Sequence, residues 1–394
     1  MYWLYLLLFT YVCQHAPTSP RGKDSVLAST LLADIAALQR RDGGFFTAGA
    51  FPSTRVHASR PFTIRRDNNI FFTGLIGLGL RRIRPDLGPG DRVVCDSILA
   101  RMQPAIPFYR NRQGRPTYNF WRTNPPLIFP EDPWLALGNR SHALPDDLDD
   151  TVILLGALGE EDDSTARVVK ALMEAHANGK GGFLHTGYRR YRHEGAYSTW
   201  FGRRMPIDFD CSVFCNILYW VCANRLPFGA ADSATVNILR DMIQRGLPVT
   251  DPAYASPHYA RTPVVLYHMG RLVGTFSIPG LDSLKPLLLA QTRTALGEAR
   301  DPMDRVLLSS TLLRLGVSPD SIPPIHLGSP EAEDDRFVFF IASFSDYFRN
   351  PFRRIFLHTR LLRYEFRCTA YNRFLLLEYL ILRENAWRRS QAGI

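Results

Sequence analysis

The residues best suited to chemistry are Asp146, Asp147, Asp149 and Asp150, in the string Leu144-Pro145-Asp146-Asp147-Leu148-Asp149-Asp150-Thr151 that opens the apolar run Val152-Ile153-Leu154-Leu155. A helix N-terminus stabilises nearby negative charge, whereas burial and mutual repulsion raise the pKa of one carboxyl beside its ionised neighbours. The expected product of that conflict is a Brønsted acid. Asp also favours helix starts through capping alone, so a solvated N-cap cluster is the structural alternative. A second acidic pair, Asp208 and Asp210, precedes a helix carrying Asn216, Tyr219 and Trp220. Facing the first cluster in a helical ring, it would suit a carbohydrate enzyme working with two carboxylates. Helix capping is again the alternative.

The segment from Phe108 to Pro145 is rich in Pro, Asn and aromatics and runs directly into the cluster. Irregular segments of this length in compact domains are usually functional or disordered, and aromatic content argues against disorder. It is expected to form an aromatic wall or lid, with Tyr118, Trp121 and Trp134, joined by Trp200, as candidate substrate-binding residues. Ring faces stabilise cationic intermediates without offering a nucleophile, although the same rings also suit ordinary packing. No metal is the first expectation. As a second choice the cluster parses as Asp146-Asp147-x-x-Asp150, carboxylates spaced to hold magnesium, which in turn holds a diphosphate. His185, His193 and His258 fall in polar or aromatic loops and stay outside the catalytic set. No GxGxxG, P-loop, GxSxG or HExxH string occurs, which removes the commonest nucleotide, hydrolase and zinc-protease classes.

Those side chains must be positioned by helices. Apolar residues recur at helical spacing over 24–41, 68–83, 91–106, 149–158, 163–177 and 210–223, and again over 233–245, 258–272, 281–296, 301–315, 336–348 and 371–383. Strand alternation is scarce. About a dozen helices joined by loops rich in Gly, Pro and Asp make an all-α chain compatible with about six helical hairpins. Two corners share punctuation, Gly43-Gly44-Phe45 and Gly181-Gly182-Phe183. Their glycines are expected to turn the chain at a helix C-terminus while the Phe folds back. The chain divides into an apolar segment, 1–20, expected to be an anchor, a signal or a packed helix, and a single domain, 21–394.

A net charge of +10 draws anions such as phosphates, diphosphates and acidic headgroups to the surface. The stretch from Arg349 to Arg389 interleaves arginines with Phe, Leu and Tyr, which allows peripheral contact with an anionic membrane; a solvated helix face is the default. No nucleic-acid fold is recognised, and nucleic acid is not an expected partner. The six cysteines form no CxxC pair, so buried free thiols are expected, with Cys211, Cys215 and Cys222 along one helix face. Compartment stays open, with cytoplasmic or peripheral-membrane placement favoured over export.

The string Asp147-Leu148-Asp149-Asp150-Thr151 resembles the DxDDT motif of class II terpene cyclases of the squalene-hopene and diterpene type. The corner Gln39-Arg40-Arg41-Asp42-Gly43-Gly44-Phe45 resembles the QxxDGGW corners of the same α/α-toroid superfamily, with Phe in place of Trp. The resemblance covers these two stretches and the helical pattern. It implies a ring of helical hairpins and a hydrophobic small-molecule substrate. By it, Asp149 would be the acid that protonates an isoprenoid alkene or epoxide, with Asp147 and Asp150 tuning it. A carbohydrate-active α/α barrel and a non-catalytic toroid binding a lipid or a protein segment are the alternatives.

Overall fold

Burial separates the helices into two kinds. In the computed structural model, which describes residues 20–132, 144–159, 163–201, 205–325 and 337–392, some helices are buried almost end to end. These are α2 (Phe71–Ile83), α4 (Leu148–Leu158), α6 (Cys211–Ala223), α10 (Thr262–Thr275) and α12 (Pro302–Arg314). Others bury one stripe, as α3 (Pro89–Met102) does with Cys95, Ile98, Leu99 and Met102, and α5 (Asp163–Ala175) with Ala166, Val169, Lys170 and Met173. A helix apolar all round belongs inside and one with a single apolar stripe belongs outside. The sequences obey this: α6 reads Cys-Ser-Val-Phe-Cys-Asn-Ile-Leu-Tyr-Trp-Val, whereas α5 places charged residues between its apolar ones.

The buried helices pack in succession, α2 on α4, α4 on α6, α6 on α10 and α10 on α12; α12 then packs on α14 (Thr369–Ala392), and α14 on α2. The one-stripe helices lie against them. α1 (Pro20–Leu38) packs on α14 and α3, α7 (Ala230–Gln244) on α6, and α11 (Lys285–Glu298) on α12 and α10. Small residues permit the closest of these approaches. A Cβ on Gly74 would lie 2.9 Å from Ile153 Cγ2, and one on Gly79 would lie 2.0 Å from Phe374 Cζ. Short helices α8 (Leu247–Thr250), α9 (Pro252–Ala255) and α13 (Phe352–Leu357) complete the helical set. The buried apolar side chains form one cluster from Ala28 to Ala386.

The chain is largely helical but not all-α. Strands β1 (Ser53–His57), β2 (Arg60–Asp67), β3 (Phe340–Ser343) and β4 (Arg363–Arg367) form an antiparallel sheet in the order β2-β1-β4-β3. β1 pairs with β4 in the register Arg55↔Phe366, and Phe340 lies opposite Phe366. The helix expected over 336–348 is therefore replaced, within its described part, by β3 and a 3₁₀ turn at Phe344–Tyr347. Phe337, Val338, Phe339 and Ile341 are all buried, and a short apolar run of this kind carries no period that distinguishes helix from strand. β2 gives no core-facing signal for another reason: it is exposed along most of its length, and its burial does not alternate. The sheet lies across the starts of α2 and α10, with Phe340 packed on Phe71 and Tyr259, and with the Ile341 amide donating to the His258 carbonyl at 2.8 Å.

The Gly-Gly corners differ from expectation in detail. Helix α1 stops at Leu38 and α5 at Ala175, so the paired glycines follow the helix ends by several residues. What pins each corner is a buried side-chain amide. Gln39 Nε2 donates to the carbonyls of Gly49 and Ile98, and Asn178 Nδ2 donates to those of Arg192 and Glu194. Cys95, Cys211, Cys215 and Cys368 are buried free thiols and Cys222 is partly buried, as expected. No helix among the described residues is long and apolar enough to cross a membrane. Arg353, assigned by default to a solvated face, is fully buried in an ion pair with Asp208.

Candidate active site at the buried aspartates

All four aspartates of the cluster are inside the protein, Asp146 and Asp150 2% exposed and Asp147 and Asp149 5%. The solvated-cap alternative is thereby overturned, although capping itself is real. Asp147 is the N-cap of α4, and its Oδ1 accepts the Asp150 amide at 2.7 Å. Backbone ladders hold this helix start from both sides. The Asp147 amide donates to the Tyr118 carbonyl, Leu148 to Thr199 and Phe201 to Asp146. Thr151, the last residue of the motif, uses its hydroxyl twice, donating to the Asp147 carbonyl and accepting from the Tyr118 amide.

The four carboxylates meet different surroundings. Asp146 turns away to Arg115, 2.8 Å from its Nη2, and to the Thr117 hydroxyl. Asp149 accepts from Asn216 Nδ2 at 2.6 Å and from the Tyr259 hydroxyl. Burial pushes Asp149 up to about 6, and the donation by Tyr259 and Asn216 only partly opposes it. Asp147 and Asp150 form a pair. Burial is the main cause that raises both, and their mutual repulsion lifts Asp147 further. Asp150 Oδ1 is buried with no hydrogen-bond partner. A buried carboxylate oxygen without a donor favours the neutral acid, so this pair holds a proton well above the ordinary carboxylate range.

The second acidic pair is brought alongside, since the Thr199 amide donates to the Asp208 carbonyl while the Thr199 carbonyl accepts from Leu148. Burial raises Asp210 as it raises Asp147, Asp149 and Asp150, whereas Asp208 is shifted the opposite way. Burial raises Asp208, but Arg353 at 2.8 Å and His258 at 3.2 Å more than offset it and hold the carboxyl below its usual value. Asp210 caps α6 through the amides of Ser212 and Val213, and it also accepts from the Ser256 hydroxyl and the His258 amide. Asp208 is therefore a paired anion and Asp210 a cap.

The segment expected to form an aromatic wall meets the cluster through polar side chains and backbone. Residues 115–119 run along the cluster, and Phe120 and Trp121 pack with Phe340 and Phe366 under the sheet. Trp121 is 3% exposed, and its Nε1 donates to Asp67 at 2.9 Å, so it serves the sheet–helix junction rather than the cluster itself. Tyr118 joins the cluster through its backbone. Trp200 stands edge-on to His258, with its Nε1 buried and unpartnered. Trp134 lies outside the described residues. Of the second-choice magnesium ligands, Asp146 turns to Arg115 and Thr117, whereas Asp147 and Asp150 pair with each other. No group of three His, Cys, Asp or Glu among the described residues is placed to hold a metal ion.

A cavity of about 510 Å³ lies on the other side of Asn216, lined by Leu78, Val152, Ile153, Leu155, Tyr219 and Trp220 among others. Its size falls in the range of small-molecule sites, roughly 300–1,000 Å³. Asn216 lines it and bonds Asp149, so the acid is one side chain away from the cavity. Asn216, Tyr259 and His258 were all left out of the predicted site. Asn216 had a usable signal, a lone amide inside the otherwise apolar run of α6. Tyr259 had none: it sits in the loop before α10, and only the fold brings it to Asp149. No family model, curated protein or solved structure matches the chain.

Proposed function

We propose that this chain is an enzyme of the α/α-toroid type that begins its reaction by protonating an apolar substrate, an isoprenoid alkene or epoxide, from the Asp146–Asp150 cluster. The succession of buried helices that returns from α14 to α2, with one-stripe helices outside it, supports the toroid. The observation that carries the chemistry is the burial of four aspartates of which, among the described residues, only Asp146 forms an ion pair. Carboxyls placed this way are costly unless a proton is kept, and a kept proton is what an acid-initiated reaction uses.

Asp149 is the donor in this scheme. Its proton passes to an alkene carbon or epoxide oxygen, and the substrate takes the positive charge. The carboxylate left behind is stabilised by Asn216 Nδ2 and the Tyr259 hydroxyl, which already point at its two oxygens. Asp147 and Asp150 lie beside it, and the charge of Asp149 raises the proton affinity of Asp150. Ring faces suit the cation, since they stabilise charge without capturing it. Loss of a proton from the rearranged cation restores the acid, so the step consumes nothing but substrate. The proposal extends to no metal; magnesium held by Asp146, Asp147 and Asp150 remains the second choice.

The test is incubation of the purified protein, with and without magnesium, with linear isoprenoids and their diphosphates, followed by mass spectrometry. A cyclic product that falls at least about 100-fold in Asp149→Asn is expected for a lost general acid. Full product from a folded Asp149→Asn protein would sink the assignment. The carbohydrate alternative has one observation in its favour, the backbone ladder that joins the two acidic pairs. Against it, Asp208 is already neutralised by Arg353. Glycan turnover without isoprenoid turnover would reverse the preference.

A further inference from the structure

The far end of the same helices is basic and incompletely paired. Arg82, Arg271 and Arg314 stand near the C-terminal ends of α2, α10 and α12 and are linked by two tyrosine rings. Arg82 Cζ is 4.6 Å and Arg271 Cζ 5.3 Å from the Tyr219 ring, while Arg271 is 5.9 Å and Arg314 5.0 Å from the Tyr267 ring. One carboxylate, Glu378, answers them. It pairs with Arg314 and accepts from the Tyr267 hydroxyl at 2.7 Å. Three guanidinium groups and one carboxylate leave two positive charges.

Helix C-termini carry partial negative charge, and arginines there often do no more than bond the free carbonyls. Arg81 does this, donating to the carbonyls of Ala157 and Leu158 at the end of α4. Its neighbours do not. Arg82 reaches the Thr275 hydroxyl at 2.9 Å and Arg271 reaches Asn216 Oδ1, yet Arg82 Nη1 and both Nε and Nη1 of Arg314 are out of solvent with no partner. The Arg314 side chain is 5% exposed. Burial lowers the pKa of Arg82, and Arg314 and Arg271 add to that, so the three cations repel one another. Unpaired buried donors on mutually repelling cations are an arrangement that an anion completes.

We infer that this end of the cavity binds the dianionic phosphate group of a small molecule, with Arg82 at its wall and Arg271 and Arg314 behind Tyr219 and Tyr267. Two charges match the two left over, and the planar guanidinium donors match phosphate oxygens. Arg82 and Tyr219 line the cavity together with Leu78, Val152, Ile153 and Leu155, so the apolar body of a phosphate ester has a wall to lie on. This inference does not depend on the acid chemistry proposed above, because it concerns binding alone.

The test is calorimetric titration of the full chain at pH 8 with inorganic phosphate and with hexyl phosphate, comparing wild type with Arg82→Gln and with Arg84→Gln. Arg84 is an exposed residue paired with Asp96 and controls for the loss of one positive charge. Saturable binding of at least one phosphate is expected, weakened tenfold or more in Arg82→Gln and unchanged in Arg84→Gln. Tighter binding of hexyl phosphate assigns an ester; equal binding assigns the free ion. No saturable binding of either, or equal binding by wild type and a folded Arg82→Gln, overturns the inference.

Discussion

The two ends of the buried helices face the same physical problem with opposite signs and solve it differently. At the N-terminal end, aspartates meet the favourable end of the helix dipole; at the C-terminal end, arginines do. Beyond that the ends diverge. The acid end can discharge itself, because a buried carboxyl takes up a proton, as Asp147 and Asp150 do. The arginine end has no such route, since guanidinium stays charged at any ordinary pH. One end therefore stores protons and the other stores unpaired cations, which is why the first is read as chemistry and the second as binding.

Four substitutions sharpen that contrast. The largest effect is expected at the arginine end, where Glu378→Gln leaves Arg314 without its carboxylate. Removal of one partner from a buried pair costs about 3–5 kcal/mol, read from urea unfolding. A loss below about 1 kcal/mol would show that the excess charge is already relieved by other means.

The acid end should respond in the opposite direction. The folded-state pKa of Asp150 lies above its unfolded value, so folding binds its proton. Its stabilising contribution is then fully present below about 3.8 and is lost as pH rises through about 7. Asp150→Asn removes that loss. At pH 8 the variant should be more stable than wild type by about 2–4 kcal/mol, with a flatter stability profile between pH 4 and 7. A variant less stable than wild type at pH 8 would mean that the Asp150 carboxylate has a partner worth more than its burial costs. The smallest effects concern shape. Gly79→Ala, which meets the Phe374 ring, should cost about 1–3 kcal/mol. Gly74→Ala at the acid end, where Ile153 is the nearest neighbour, should cost less by thermal unfolding.

Much of the fold was legible because its physics is local. The helices 71–83, 148–158, 211–223 and 302–314 each announce themselves by apolar content, the last three also by an Asp cap at the start, and the observed bounds fall within a few residues of those expected. The sheet was not legible. β3 hides in the aromatic run Phe337–Phe340, and its partner β4 lies more than twenty residues away with β1 further still, so nothing within either window reveals the pairing. The same division runs through the candidate site. Asp149 could be picked out from its neighbours in sequence, but its partners Asn216 and Tyr259 are 67 and 110 residues distant.

The chain alone determined that acid would gather at the start of one apolar helix, because charge density, capping preference and periodicity are properties of a dozen adjacent residues. Tertiary structure decided what that acid is. Only packing could remove solvent from all four aspartates, give Asp146 an arginine, give Asp149 two donors and leave Asp150 Oδ1 with none. Likewise, Arg82, Arg271 and Arg314 are ordinary helix-end arginines in sequence, and meet only where three helices bring them around Tyr219 and Tyr267. Protonation and ion binding depend on desolvation and on neighbours within a few ångströms, and both are set by which distant segments meet.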